Sequence, residues 1–198
     1  MNTLPRRITI ANTKGGVGKT LSAIMLAMAL TNSGHTVEVW DADPQGSASA
    51  WAEDAADAGD PLPFPVIAIN ARTIRRPIPT GVDFVLVDTP PGDAAIVQAA
   101  IDTADRVLIP TLASPRDIER TWLTLDVAEH RDSAILITQA EPHTTAFRDT
   151  VTALREGGAP LMNTSIIKTT RIKPDTVRRP HNTWGYERVA TELLQETR

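Results

Sequence analysis

The stretch ITIANTKGGVGKTLSA, residues 8–23, decides the fold. It opens as a buried strand and closes as an apolar helix, with a glycine-rich turn between them that ends Gly18-Lys19-Thr20. A phosphate-binding loop of the form G-x-x-x-x-G-K-[ST] would carry glycine at position 13. Here that position is Thr13, and the next residue is a second cation, Lys14, five residues before Lys19. Gly15, Gly16 and Gly18 leave the backbone N–H groups free to curl round phosphate oxygens, and the following helix presents its positive end. In such a loop Lys19 neutralises the β- and γ-phosphates, and the Thr20 hydroxyl holds Mg²⁺.

Outward from this loop, apolar runs and helical segments alternate along the chain. Strands are predicted over Arg7–Asn12, Val37–Asp41, Val66–Ile69, within "DFVLVDTPPG" (83–92), and over Arg106–Pro110, Ala134–Thr138 and Leu161–Ile167. Helices are predicted over Thr20–Ser33, Gly46–Ala58, about Asp93–Thr103, from Ser114, over Thr144–Glu156, and over about Tyr186–Thr197. Ser114, Pro115 and Asp117 form a capping-box-like start. Runs such as "FVLV" and "AILIT" carry no polar alternation, as expected of strands covered on both faces. The whole length, 1–198, therefore reads as one α/β domain: a doubly wound, mostly parallel sheet with helices on both faces.

Bulk properties narrow the function. The 198 residues include no cysteine, which removes disulfides, thiolate metal sites, iron–sulfur clusters and cysteine nucleophiles. The longest nearly apolar run, Leu21–Leu30, is about half of the ~20 residues that cross a bilayer, and no signal peptide is evident. The net charge is −4, unevenly spread. Residues 168–181 hold five basic residues against one acid, a local +4 set against −8 elsewhere. Lys168, Arg171, Lys173, Arg178 and Arg179 are thus the candidate surface for sequence-independent contact with DNA phosphates.

Ligands of a doubly wound sheet sit at the carboxyl ends of its strands. Asp88 ends "FVLVD" as an acid for a metal-bound water. Asp41 and Asp43 in "VWDADPQGS" end the second strand one residue apart and point the same way. One suits the Mg²⁺ shell and the other the attacking water; Asp-Pro turn chemistry is the plainer alternative. The four histidines show no metal-ligand spacing, and Trp51, Trp122, Met25 and Met28 read as packing.

The segments "KGGVGKT" (14–20), "DADPQGS" (41–47) and "LVDTPPG" (86–92) resemble, in order and spacing, the ParA/MinD class of deviant Walker-A ATPases. Within it the chain is most similar to small ParA-type, ParF-like DNA-partitioning proteins without an N-terminal helix-turn-helix domain. The resemblance implies ATP and Mg²⁺ as ligands, with Lys14, Gly15, Gly16, Val17, Gly18, Lys19, Thr20 and Leu21 at the nucleotide. It implies that Lys14 reaches the partner's phosphates across a nucleotide-sandwich homodimer, that Asp43 positions the water, and that Asp41 and Asp88 serve the Mg²⁺ shell. It implies ATP-driven dimerisation, possible higher assemblies, non-specific DNA binding in a nucleoid-associated, cytoplasmic setting, and hydrolysis stimulated by a ParB-like centromere-binding protein. The chain departs from the usual "GKTT" at Leu21, which removes a hydroxyl worth about 1 kcal/mol at the α-phosphate.

Two alternatives stay open. A MinD-like membrane cycle would need a basic amphipathic C-terminal helix, but "YERVATELLQETR" has three acids and two arginines. An ATP-dependent small-molecule synthetase would need a substrate pocket beside the γ-phosphate, and no obvious insertion builds one. With no arginine finger evident in the chain itself, turnover without partners is expected to be slow. The adenine pocket is expected near Thr138 and Ile167.

Overall fold

The computed structural model describes residues 6–169 and 178–195. Within them the chain runs β1 (Arg7–Ile10), α1 (Lys19–Asn32), β2 (Val37–Asp41), α2 (Ser47–Asp57), β3 (Val66–Ala68), β4 (Phe84–Asp88), α3 (Ala94–Asp102), β5 (Arg106–Thr111), α4 (Pro115–Val127), β6 (Asp132–Ile137), α5 (Thr145–Glu156) and α6 (Tyr186–Leu194). The six strands form one sheet in the order β3-β2-β4-β1-β5-β6, and every pair is parallel. Parallel pairing requires crossovers, so each strand's carboxyl end opens on the same edge.

Alternate residues of the central strands feed opposite faces. Ile8, Ile10, Leu86, Leu108 and Leu136 pack under α1 and α6. Val107, Ile109 and Ile135 pack under the other layer with Val97, Ile101 and Leu154, and Val85 and Val87 do so with Trp40 and Ile74. The unbroken apolar runs are explained by this double cover. α1 is buried over nearly its whole length, because α6 lies against it and Tyr186 Oη meets Ser22 Oγ at 2.8 Å. No helix fills the β3–β4 crossover among the described residues. Instead Ile74 is buried there and the Arg76 guanidinium covers the Trp40 ring at 4.2 Å.

One predicted strand does not form. Leu161–Ile167 makes only two isolated bridges, Ile135 with Leu161 and Ala140 with Ile167. Between them the Asn163 and Thr164 N–H groups donate to the Glu192 carboxylate at 2.6 and 2.9 Å, which diverts the backbone from the ladder. The last helix ends at Leu194; residues 196 and 197, predicted helical, lie outside the described residues.

Candidate functional site

The β1–α1 loop crosses the carboxyl edge at the middle of the sheet, and buried polar side chains hold its shape. Asn12 Nδ2 donates to Pro110 O at 2.8 Å, and Asn12 Oδ1 accepts from the Lys14 N–H at 2.9 Å. Farther along, Thr138 Oγ1 donates to Val17 O at 2.9 Å, which ties the loop to the end of β6. Gly18 then caps α1 in the left-handed region, φ 88°, without a capping side chain. Only glycine takes that conformation without strain, and the cap leaves the first-turn N–H groups of α1 to an external anion.

Lys19 is nearly buried, and its Nζ donates to Lys14 O at 3.0 Å. Burial pulls its pKa below the ordinary lysine value, against the opposing pull of Asp88 and Asp43. Those acids come from neighbouring strand ends. Asp41 and Asp88 are register partners across β2 and β4, and both are buried, at 2% and 0% exposure. Their surroundings differ sharply. Asp41 Oδ2 accepts from Ser49 N and Ser49 Oγ at 2.9 and 2.7 Å, and its Oδ1 accepts from the Asp43 N–H at 3.2 Å. Neither oxygen of Asp88 has a hydrogen-bond partner of ordinary geometry among the described residues. Burial pushes the Asp88 carboxyl up to about 7; the adjacent Thr20 hydroxyl draws it partly back, and Asp41 adds to the rise.

A buried carboxylate without donors is costly unless a cation completes it. Asp88, the Thr20 hydroxyl beside it, and Asp41 behind them make an all-oxygen set that fits a magnesium ion retaining several waters. Asp43, half-buried in the following loop, keeps Oδ1 on the Gln45 N–H at 2.9 Å. The structure thus brings Thr20, Lys19, Asp41, Asp43 and Asp88 to one place.

Lys14 points elsewhere. Its ammonium pairs with Asp117 in the first turn of α4; the Lys14 side chain is 38% exposed and that of Asp117 only 3%. Asp117 was expected to complete a capping box. Its N–H does donate to Ser114 Oγ at 3.3 Å, but its carboxylate serves Lys14 and the Ser114 hydroxyl instead.

Beside Asp117, a cavity of about 300 Å³ opens between the β5 and β6 ends, lined among others by Leu112, Gln139, Glu141 and Lys168. Thr138 and Ile167, near which the adenine pocket is expected, are not among its lining residues. Thr138 itself is spent on Val17 O and Thr111 O, whereas Ile167 is half exposed. Leu21 packs against the core.

Of the basic candidates, Arg171 and Lys173 lie outside the described residues. Lys168 pairs with Glu141 at 3.3 Å. The Arg178 carbonyl accepts from Trp51 Nε1 at 3.0 Å, and Arg179 lies 3.6 Å from Asp60, which also meets His181 at 2.8 Å. The remaining pieces, Asn12, Ser49 and the pairing role of Asp117, escaped sequence reasoning. A polar residue closing the predicted apolar strand Arg7–Asn12 is the available signal, and it applies to Asn12 alone.

Comparison with known proteins identifies the family. Residues 8–178 match the model of the CobQ/CobB/MinD/ParA nucleotide-binding domain. The chain is 32% identical over 170 residues to the maintenance of carboxysome distribution protein A of Halothiobacillus neapolitanus, covering 80% of this chain and 78% of that protein. It is 38% identical over 169 residues to the protein of the same name in Gloeobacter kilaueensis, covering 79% and 74%. A plasmid partition protein of Borrelia burgdorferi, crystallised with AMPPNP, superposes with a TM-score of 0.76 over 97% of this chain and 99% of that one; at 18% identity this speaks for the fold. With a family match across most of its length, and two relatives above 30% identity, the chain belongs to the CobQ/CobB/MinD/ParA nucleotide-binding family.

Proposed function

We propose that this chain is a ParA-type positioning ATPase: ATP drives its dimerisation, the dimer holds non-specific DNA, and hydrolysis resets it. Its place in the family makes it a Mg²⁺-dependent ATPase; the use made of that activity is the proposal. DNA is the track, and a ParB-like adaptor that speeds hydrolysis links the enzyme to its cargo. Replicon DNA is the cargo by analogy with plasmid partition proteins, and a carboxysome-like body is the second reading, by analogy with the carboxysome-distribution relatives.

The observation that carries the reading is Lys14. It stands at the rim of the phosphate loop, partly exposed, with its charge held by Asp117 and not by the loop's own centre. In this reading that second cation, released from Asp117, serves another copy's phosphates, where it would stabilise charge developing on the transferred phosphoryl group. In the chain's own site Lys19 neutralises phosphate oxygens and the N–H groups of the loop and of α1 cradle them. Asp88 and Thr20 would hold Mg²⁺, which would supply neutralisation of phosphate charge, and Asp43 would orient the attacking water. The basic residues 178 and 179 lie beside α2 and supply the DNA contact.

A membrane cycle is disfavoured. The apolar face of α6, Val189 and Leu193 with Tyr186, is buried against α1 and is not left for lipid.

The test is fluorescence anisotropy of a random-sequence DNA duplex with a non-hydrolysable ATP analogue, with ADP and without nucleotide, at two salt concentrations. Salt-sensitive binding confined to the ATP analogue supports a nucleotide-gated clamp. Absence of binding in every state overturns the DNA reading.

A further inference from the structure

Ser49 makes two hydrogen bonds to one atom. Its backbone N–H and its hydroxyl both donate to Asp41 Oδ2, at 2.9 and 2.7 Å. An sp² carboxylate oxygen has two lone pairs in its plane, so Oδ2 is fully occupied by α2 and has none left for a cation. The other oxygen, Oδ1, accepts from the Asp43 N–H at 3.2 Å and keeps one lone pair, which suits a water of the metal shell better than a second direct ligand bond. Across the β2–β4 register the opposite holds: Asp88 has two buried oxygens and no donor of ordinary geometry among the described residues.

We infer that Ser49 is a positioning residue for the metal and the water of this ATPase: by saturating Asp41 Oδ2 it assigns direct metal contact to Asp88 and keeps Asp41 in an outer role. The same bonds close a ring. The Asp41 carboxylate bridges the Asp43 N–H on one side and Ser49 on the other, so the segment 42–48, which carries Asp43, is held at both ends by one buried side chain. The Ser49 hydroxyl therefore also sets where Asp43 stands relative to the phosphate loop. Outer partners of this kind are worth about 10–100-fold in metal affinity at other sites.

The inference rests on the site's being a Mg²⁺–nucleotide pocket, and the experiment separates the two. Affinity of the full chain for a fluorescent non-hydrolysable ATP analogue is measured in EDTA and across a Mg²⁺ titration, for wild type, Ser49→Ala and Ser49→Thr, with thermal melting alongside. If the wild type binds no analogue in either condition, the pocket reading fails first and this inference with it. The expected result is unchanged affinity in EDTA for all three, a Mg²⁺ requirement raised about tenfold in Ser49→Ala, and near-complete recovery in Ser49→Thr, which keeps the hydroxyl. Alanine favours helix more than serine does, so loss of α2 does not explain a defect. A Mg²⁺ requirement within twofold of wild type in Ser49→Ala overturns the inference. So does a Ser49→Thr defect equal to that of alanine, or a loss in EDTA as large as the loss in Mg²⁺.

Discussion

Asp88 titrates, in the fold, where it should not. Its carboxyl is pushed up to about 7 from an ordinary 3.8, first by burial. The folded chain therefore keeps a proton that the unfolded chain gives up near pH 4. Between those two values the native state binds more protons, so stability without metal falls as pH rises and levels off above about 7. At about 1.4 kcal/mol per pH unit, the full window is worth about 4 kcal/mol, of which about 2–3 falls between pH 5 and pH 8. Asp88→Asn removes the charge and nothing else of that size. At pH 5 the variant should be equal to wild type or about 1 kcal/mol less stable, since its buried amide lacks partners. At pH 8 it should be the more stable protein, with the difference between variant and wild type moving by about 2–3 kcal/mol in its favour. Urea unfolding followed by tryptophan fluorescence, in EDTA and without nucleotide, reads this directly. The variant should also lose Mg²⁺-enhanced nucleotide binding and ATPase activity. A stability difference that is the same at pH 5 and pH 8 would refute the reasoning, because it would mean that Asp88 is solvated in the fold.

The other predictions test the remaining elements separately. Lys14→Ala should bind an ATP analogue within about threefold of wild type and lose about 10²-fold in kcat, the scale of one transition-state donor; normal turnover would end the cross-dimer role. Replacing Arg178 and Arg179 together by alanine should weaken binding to random duplex and reduce its salt slope by up to about 2, and an unchanged isotherm would remove them from the DNA surface. Gly157→Ala would place a Cβ 2.7 Å from the Trp122 ring and 3.2 Å from Ala153 O; it should cost about 1–3 kcal/mol, seen as a lowered Tm. Tyr186→Phe leaves the buried Ser22 hydroxyl without its 2.8 Å partner and should lower stability by about 1 kcal/mol in chemical unfolding.

What could be read from the sequence, and what could not, follows from the range of the interactions. The phosphate loop was legible because its chemistry is local: glycines at fixed offsets, one lysine, one hydroxyl, and a strand and helix on either side. Asp88 was legible because four apolar residues precede it, and its burial follows from theirs. Lys14 was legible as an anomaly, but its partner was not, since Asp117 is 103 residues away and its local pattern pointed to a helix cap. The missing strand over Leu161–Ile167 has the same cause. Its apolar pattern is genuine, for Leu161 and Ile167 do bridge to the sheet edge, but the intervening N–H groups answer to Glu192, 29 residues away in α6. Ser49 is the most instructive case. At residues 46–49, "GSAS" reads as an ordinary helix start, and nothing nearby distinguishes its second serine from its first. Only when β2 delivers a buried carboxylate to the amino end of α2 does that hydroxyl gain a task. The chain states which groups are present; tertiary contact decides which oxygen each donor takes, and so which of two neighbouring aspartates is left open for a cation.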